Sequence, residues 1–100
     1  MGKYNKLVRD KIPELLDSKG IHYEKRIATP EEYKLELIKK LKEEISEFTE
    51  TPNTEELSDI LEVVEALKKL PEFINVEDVR KNKLAEKGGF EKKIILKGEK

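Results

Sequence analysis

The stretch TPEEYKLELIKKLKEEISEFTETPNTEELSDILEVVEAL, residues 29–67, contains two helix-forming runs separated by a single break. Thr29-Pro30-Glu31-Glu32 supplies an N-cap hydroxyl, a proline at the first helical position and a glutamate three residues after the cap, which together satisfy the unpaired amides of a helix start. Leu35, Ile38, Leu41, Ile45 and Phe48 then recur at helical spacing until Thr51-Pro52-Asn53 interrupts them. Asn53 or Thr54 caps a second run, in which Leu57, Ile60, Leu61, Val64 and Leu67 form the apolar stripe up to Leu70-Pro71. Two long helices joined by so short a break must fold back as an antiparallel hairpin.

Outside this hairpin the signals are shorter. Asp10 to Lys19 carries Ile12, Leu15 and Leu16, tolerates Pro13 in its opening turn and stops at Gly20, so it reads as a first helix. Asn75 can cap a last helix from Val76 to Lys87, closed by Gly88-Gly89. The pattern predicts an all-α fold of four helices in a single domain spanning residues 1–100. Short β segments are expected between Tyr23 and Ala28 and between Lys93 and Leu96, two extended runs that could pair with each other.

Composition restricts the chemistry. There is no cysteine, which removes disulfides and thiolate metal sites and leaves oxygen donors. Lys plus Arg (21) and Asp plus Glu (22) nearly cancel, so no broad basic field exists for a nucleic-acid polymer. Residues 1–16 lack a secretory apolar core, and no segment approaches the roughly 20 apolar residues needed to span a bilayer. No membrane association and a cytoplasmic location are expected. A chain of 100 residues buries a modest core, and a second copy would help cover apolar surface.

Acid pairs spaced three apart are common in a chain this charged, so phase is the better discriminator. With Leu41 as reference at about 100° per residue, Glu44 falls near −60° and Glu47 near −120°. With Ile60 as reference, Glu56 falls near −40° and Asp59 near −100°. Both pairs occupy the negative flank of their stripes, and in an antiparallel hairpin those flanks lie on the same side. A turn near residues 51–52 sets Glu44 level with Asp59 and Glu47 level with Glu56. Like charges about 5 Å apart at an effective dielectric near 20 repel by roughly 3 kcal/mol, a cost that a bound cation removes. Hard oxygen donors favour Mg²⁺ or Mn²⁺. The competing reading gives Glu44 and Glu47 to Lys40 or another basic group and makes Glu56 the return partner of an Asn53 capping box.

Glu43-Glu44-Ile45-Ser46-Glu47 followed by Glu56-Leu57-Ser58-Asp59 resembles the EExxE…ExxD motif of the MazG-like all-α NTP pyrophosphohydrolases. Residues 6–13 (KLVRDKIP) and 83–90 (KLAEKGGF) are similar to the branch labelled phosphoribosyl-ATP pyrophosphohydrolase-like, so the likeness covers nearly the whole chain. The resemblance implies a MazG-like architecture, a dimer or tetramer, and Mg²⁺ held by Glu44, Glu47, Glu56 and Asp59. It also implies water-driven cleavage of a nucleoside triphosphate to the monophosphate and pyrophosphate. Glu43 becomes a candidate orienting group or base, although it points near −160° from Leu41 and reads as a surface acid unless another subunit covers it.

Lys83 and Lys87, ahead of Gly88-Gly89, and Arg9 and Lys11 near the start are the candidate substrate-binding cations. Each competes with a reading as a solvated side chain, and Gly88 with one as a helix C-cap. His22, alone and outside every motif, reads as a surface residue. Tyr33 and Phe90 are the aromatic groups available to stack on a base, with packing the alternative for Tyr33. Phosphoribosyl-ATP hydrolysis and a non-catalytic helical interaction or nucleotide-binding module are the alternatives to general nucleotide pyrophosphohydrolysis.

Overall fold

The computed structural model describes residues 5–99 and contains α1 (Ile12–Ser18), α2 (Pro30–Glu50), α3 (Thr54–Lys68), a 3-10 turn (Pro71–Phe73) and α4 (Val76–Lys87). The ends of the 1–100 span, Met1 to Tyr4 and Lys100, lie outside the described residues. The chain divides into two compact units, the first running to Leu67 and the second beginning at Lys68.

In the first unit the expected start of α2 forms as read. The Thr29 hydroxyl accepts from the Glu32 N–H at 3.2 Å, Pro30 occupies the opening turn, and Thr51 ends the helix with its N–H on the Glu47 carbonyl. Asn53 Oδ1 accepts from the Glu56 N–H at 2.8 Å, which fixes Asn53 as the side-chain cap of α3. Three residues separate α2 from α3, so the hairpin is tight. Gly20, at φ 68°, follows α1 in the left-handed region that suits glycine.

The two β segments do not form. No strand occurs among the described residues, and residues 21–29 and 93–97 carry no regular structure. The reason is the lack of a partner: a strand is stable only when its backbone groups pair and one face is covered. Ile27 is 93% exposed and Ile95 94% exposed, so neither segment has found such a face. Residues 21–29 are instead held by side chains, with the Tyr23 hydroxyl donating to Asp17 Oδ1 at 2.8 Å and Arg26 forking onto both oxygens of Glu32. Near the other segment, Lys93 donates its N–H to the Phe90 carbonyl and sits at φ 59°, a tight turn where an extended run was expected to begin.

Burial along the hairpin is offset from the apolar stripes. The buried residues are Leu37, Glu44 and Val63, whereas Leu35, Ile38, Ile45, Leu57 and Leu61 are all exposed. Leu37 lies near −40° and Glu44 near −60° on the Leu41 reference, and Val63 near −60° on the Ile60 reference. The two helices therefore pack on the negative flanks of their stripes, and the acids meet where the hairpin is most enclosed.

In the second unit, Asn75 precedes α4 without a side-chain cap bond, and Gly88 closes the helix at φ 81° with its N–H on the Leu84 carbonyl. Glu77 in the first turn is gripped by Lys68 Nζ at 3.2 Å and by Arg80 Nη2 at 3.0 Å. No described helix is long and apolar enough to cross a membrane.

Candidate metal centre

Glu44 is one turn after Lys40 on α2, and Glu56 and Asp59 are one turn apart on α3, so the hairpin brings acids from both arms together. One carboxylate oxygen from each of Glu44, Glu56 and Asp59 lies within 4.8 Å of the others, an arrangement that can hold a metal ion. The expected pairing of Glu44 with the level of Asp59 is reflected in the electrostatics, since Asp59 is among the charges that Glu44 feels.

Glu44 is 7% exposed, which is unusual for a carboxylate. Its Oε1 lies 3.5 Å from Lys40 Nζ, while its Oε2 is buried without a hydrogen-bond partner. Burial pushes the Glu44 pKa up, the Glu47 charge and a hydrogen bond that the protonated Glu44 carboxyl donates to Glu47 push it further, and Asp59 adds to this; Lys40 opposes the shift without cancelling it. The Lys40 pair is thus present, but one oxygen of Glu44 remains unanswered.

Glu56 resolves its two competing uses. Asn53 caps the helix through the Glu56 backbone N–H, and Glu56 Oε2 is buried with no partner, so this oxygen does not return to the Asn53 amide. Two buried orphan oxygens therefore belong to one three-carboxylate cluster. An unpaired buried acceptor costs about 1–3 kcal/mol, more for a charged group. A hard divalent cation answers both oxygens at once and offsets the mutual repulsion of the acids, so these residues fit such an ion.

Glu47 is exposed and contacts Glu44, and it is not one of the three converging groups. It lies one helical turn beyond Glu44 on the same flank. Glu43 turns toward Lys40 Nζ at 3.6 Å with its side chain 39% exposed, in agreement with its reading as a surface acid.

The candidate cations separate into two groups. Arg9 reaches the cluster, with its Nη2 2.7 Å from Asp59 Oδ1. Lys11 is exposed beside the first turn of α1, while Lys83 and Lys87 are exposed on α4 in the second unit. His22 is exposed, Tyr33 is half-buried and Phe90 is 97% exposed. Sequence reasoning missed the Arg9–Asp59 pair, because the partners are 50 residues apart and no local periodicity connects them. It also left out Leu37, whose phase between Leu41 and Glu44 was the available signal.

Compared with known proteins, the chain matches no family model, no curated protein and no solved structure significantly.

Proposed function

We propose that this protein is a Mg²⁺-dependent nucleotide pyrophosphohydrolase of the house-cleaning kind, cleaving a nucleoside triphosphate or related nucleotide to the monophosphate and pyrophosphate. The observation that carries the reading is Glu44, a buried glutamate with an unpartnered oxygen inside a three-carboxylate cluster drawn from both arms of the hairpin. The EExxE…ExxD resemblance supplies the reaction class.

Glu44, Glu56 and Asp59 would hold Mg²⁺, or Mn²⁺ in its place, and Glu47, one turn beyond Glu44 on the same flank, would be the fourth ligand. The bound ion supplies Lewis-acid chemistry, neutralising phosphate oxygens and making water a competent nucleophile near neutral pH. Ligation requires ionised carboxylates, so the raised pKa of Glu44 sets its proton in competition with the ion. Arg9 provides positive charge beside the cluster for the substrate phosphates, and Lys11, in the same unit, is a further phosphate-binding candidate.

The enzyme works as a homo-oligomer, a dimer or tetramer. Leu35, Ile38, Ile45, Leu57 and Leu61 support this, because they present exposed aliphatic surface along both arms of the hairpin, on the flank away from the acids.

The deciding experiment is pyrophosphate release from a panel of canonical and modified nucleotides, with phosphoribosyl-ATP included, measured with Mg²⁺ and with chelator. Release that needs Mg²⁺ is expected from at least one member. A folded protein that binds Mg²⁺ yet turns over none of them is instead a nucleotide-binding or interaction module.

A further inference from the structure

Asp59 has two claimants. Its Oδ1 is 2.7 Å from Arg9 Nη2, while the same carboxylate is one of the three that converge with Glu44 and Glu56. A guanidinium and a divalent cation on one carboxylate repel each other strongly at such separations. The exposed Arg9–Asp59 pair, with side chains 56% and 33% exposed, is too weak to hold against that repulsion. Arg9 is also placed to leave. It lies on the irregular segment before α1, and among the described residues Asp59 is its ion-pair partner.

Resting on the metal reading above, we infer that Arg9 is an exchangeable clamp: it neutralises Asp59 until a divalent cation takes that carboxylate, and it then turns to a phosphate group of the substrate. The guanidinium fork matches two phosphate oxygens as well as it matches a carboxylate. Cation and phosphate thereby assist each other. The cation releases the group that binds the anion, and the anion removes the group that competes with the cation, which is a positive coupling between two sites through one side chain. Arg9 acts on the metal through Asp59, so it is a positioning residue for the ion and a binding residue for phosphate.

The test uses the full chain and Mn²⁺ as the probe ion, titrated against wild type, Arg9→Gln and Arg26→Gln at low ionic strength. Arg26 is a control of equal charge, because its guanidinium is spent on Glu32. With its competitor removed, Arg9→Gln is expected to bind Mn²⁺ about three- to tenfold more tightly than wild type, while Arg26→Gln stays with wild type. Inorganic phosphate titrated onto the Mg²⁺-loaded proteins supplies the second half, with Arg9→Gln expected to bind it at least about threefold more weakly.

An Arg9→Gln protein that binds Mn²⁺ equally or less tightly overturns the exchange, for it would mean that the guanidinium steadies Asp59 as a ligand. Unchanged phosphate affinity overturns it as well. A wild type that binds no Mn²⁺ removes the metal reading and this inference together, whereas binding that Arg9→Gln fails to tighten removes this inference alone.

Discussion

The two flanks of the α2–α3 hairpin reverse the usual rule of burial. On the acidic flank a glutamate is 7% exposed beside Leu37 and Val63, while on the opposite flank Leu35 is 65% and Leu61 55% exposed. A chain that encloses charge and leaves aliphatic side chains in water is, on ordinary transfer energies, under-satisfied on both counts. The difference teaches where the hairpin is under-satisfied: one flank gathers acids that could hold a cation, and the other leaves aliphatic side chains exposed.

The largest effect should come from breaking the acidic flank chemically. Asp59→Asn preserves size and removes one ligand charge; turnover of the best nucleotide is expected to fall by about three orders of magnitude, corresponding to roughly 4 kcal/mol of transition-state stabilisation. Saturating Mg²⁺ should restore part of this if affinity, rather than orientation, is lost. Leu61→Lys on the other flank leaves every acid in place, so the two substitutions separate chemistry from assembly. Full activity in Asp59→Asn would reduce the buried acids to a structural curiosity.

Next in size is association. Burying a Leu or Ile side chain contributes about 1.5–3 kcal/mol, so replacing both Ile45 and Leu61 by Lys should weaken a dimer by about 100-fold or more. Sedimentation of wild type and double variant over a concentration series reads this directly. An unchanged molar mass would mean that the exposed flank is covered by something other than a second copy.

The hairpin was legible in the sequence because its stop and start chemistry is local: Thr29, Pro30, Asn53 and Gly88 act on their own neighbours, and each ends or begins a helix where expected. The convergence of Glu44, Glu56 and Asp59 was also legible, since it follows from helical phase plus one tight turn. Other features depend on what packs where. The apolar stripe gives the direction of a helix face but not which edge of that face is covered first, and here the covered edge passes through Leu37 and Glu44, away from Ile38 and Ile45. The short apolar runs around Ile27 and Ile95 have strand-like composition, yet pairing is decided by a distant partner that composition does not name. The Arg9 contact is non-local for the same reason.

Metal removal gives the third test, as a shift in stability. Mg²⁺ at ten times its dissociation constant should add about 1.4 kcal/mol, a rise of roughly 6–11 °C in Tm for a domain of this size, and EDTA should abolish it. Glu44→Gln should lose most of that response and, by relieving repulsion, melt no lower than wild type in EDTA. The pH dependence sharpens the assignment. Glu44 has a folded pKa above its ordinary value, so its contribution is fully present below the unfolded pKa and is lost as pH rises through the raised one. Metal-free protein should therefore lose stability from this group as pH climbs out of the carboxylate range, Mg²⁺ should reverse the loss, and Glu44→Gln should flatten it.

The smallest effect serves as the counter-example to Glu44. Glu77 is the same residue type with the opposite environment: hydrogen bonds from Arg80 and then Lys68 hold its pKa down at about 2. A depressed carboxyl contributes stability above its unfolded pKa and loses it as pH falls, so this contribution should fade between roughly pH 4.5 and pH 2. The group is exposed, and solvent screening keeps its effect small at neutral pH. Glu77→Gln should accordingly leave Tm at pH 7 within a degree or two, make acid unfolding begin at slightly higher pH, and leave the Mg²⁺ response untouched. Thermal melts from pH 2 to 7, with and without Mg²⁺, distinguish the two glutamates. A Glu77→Gln protein that lost its Mg²⁺ stabilisation would show that the ion is not read by the orphan oxygens of Glu44 and Glu56, and the contrast between satisfied and unsatisfied carboxylates would no longer locate the site.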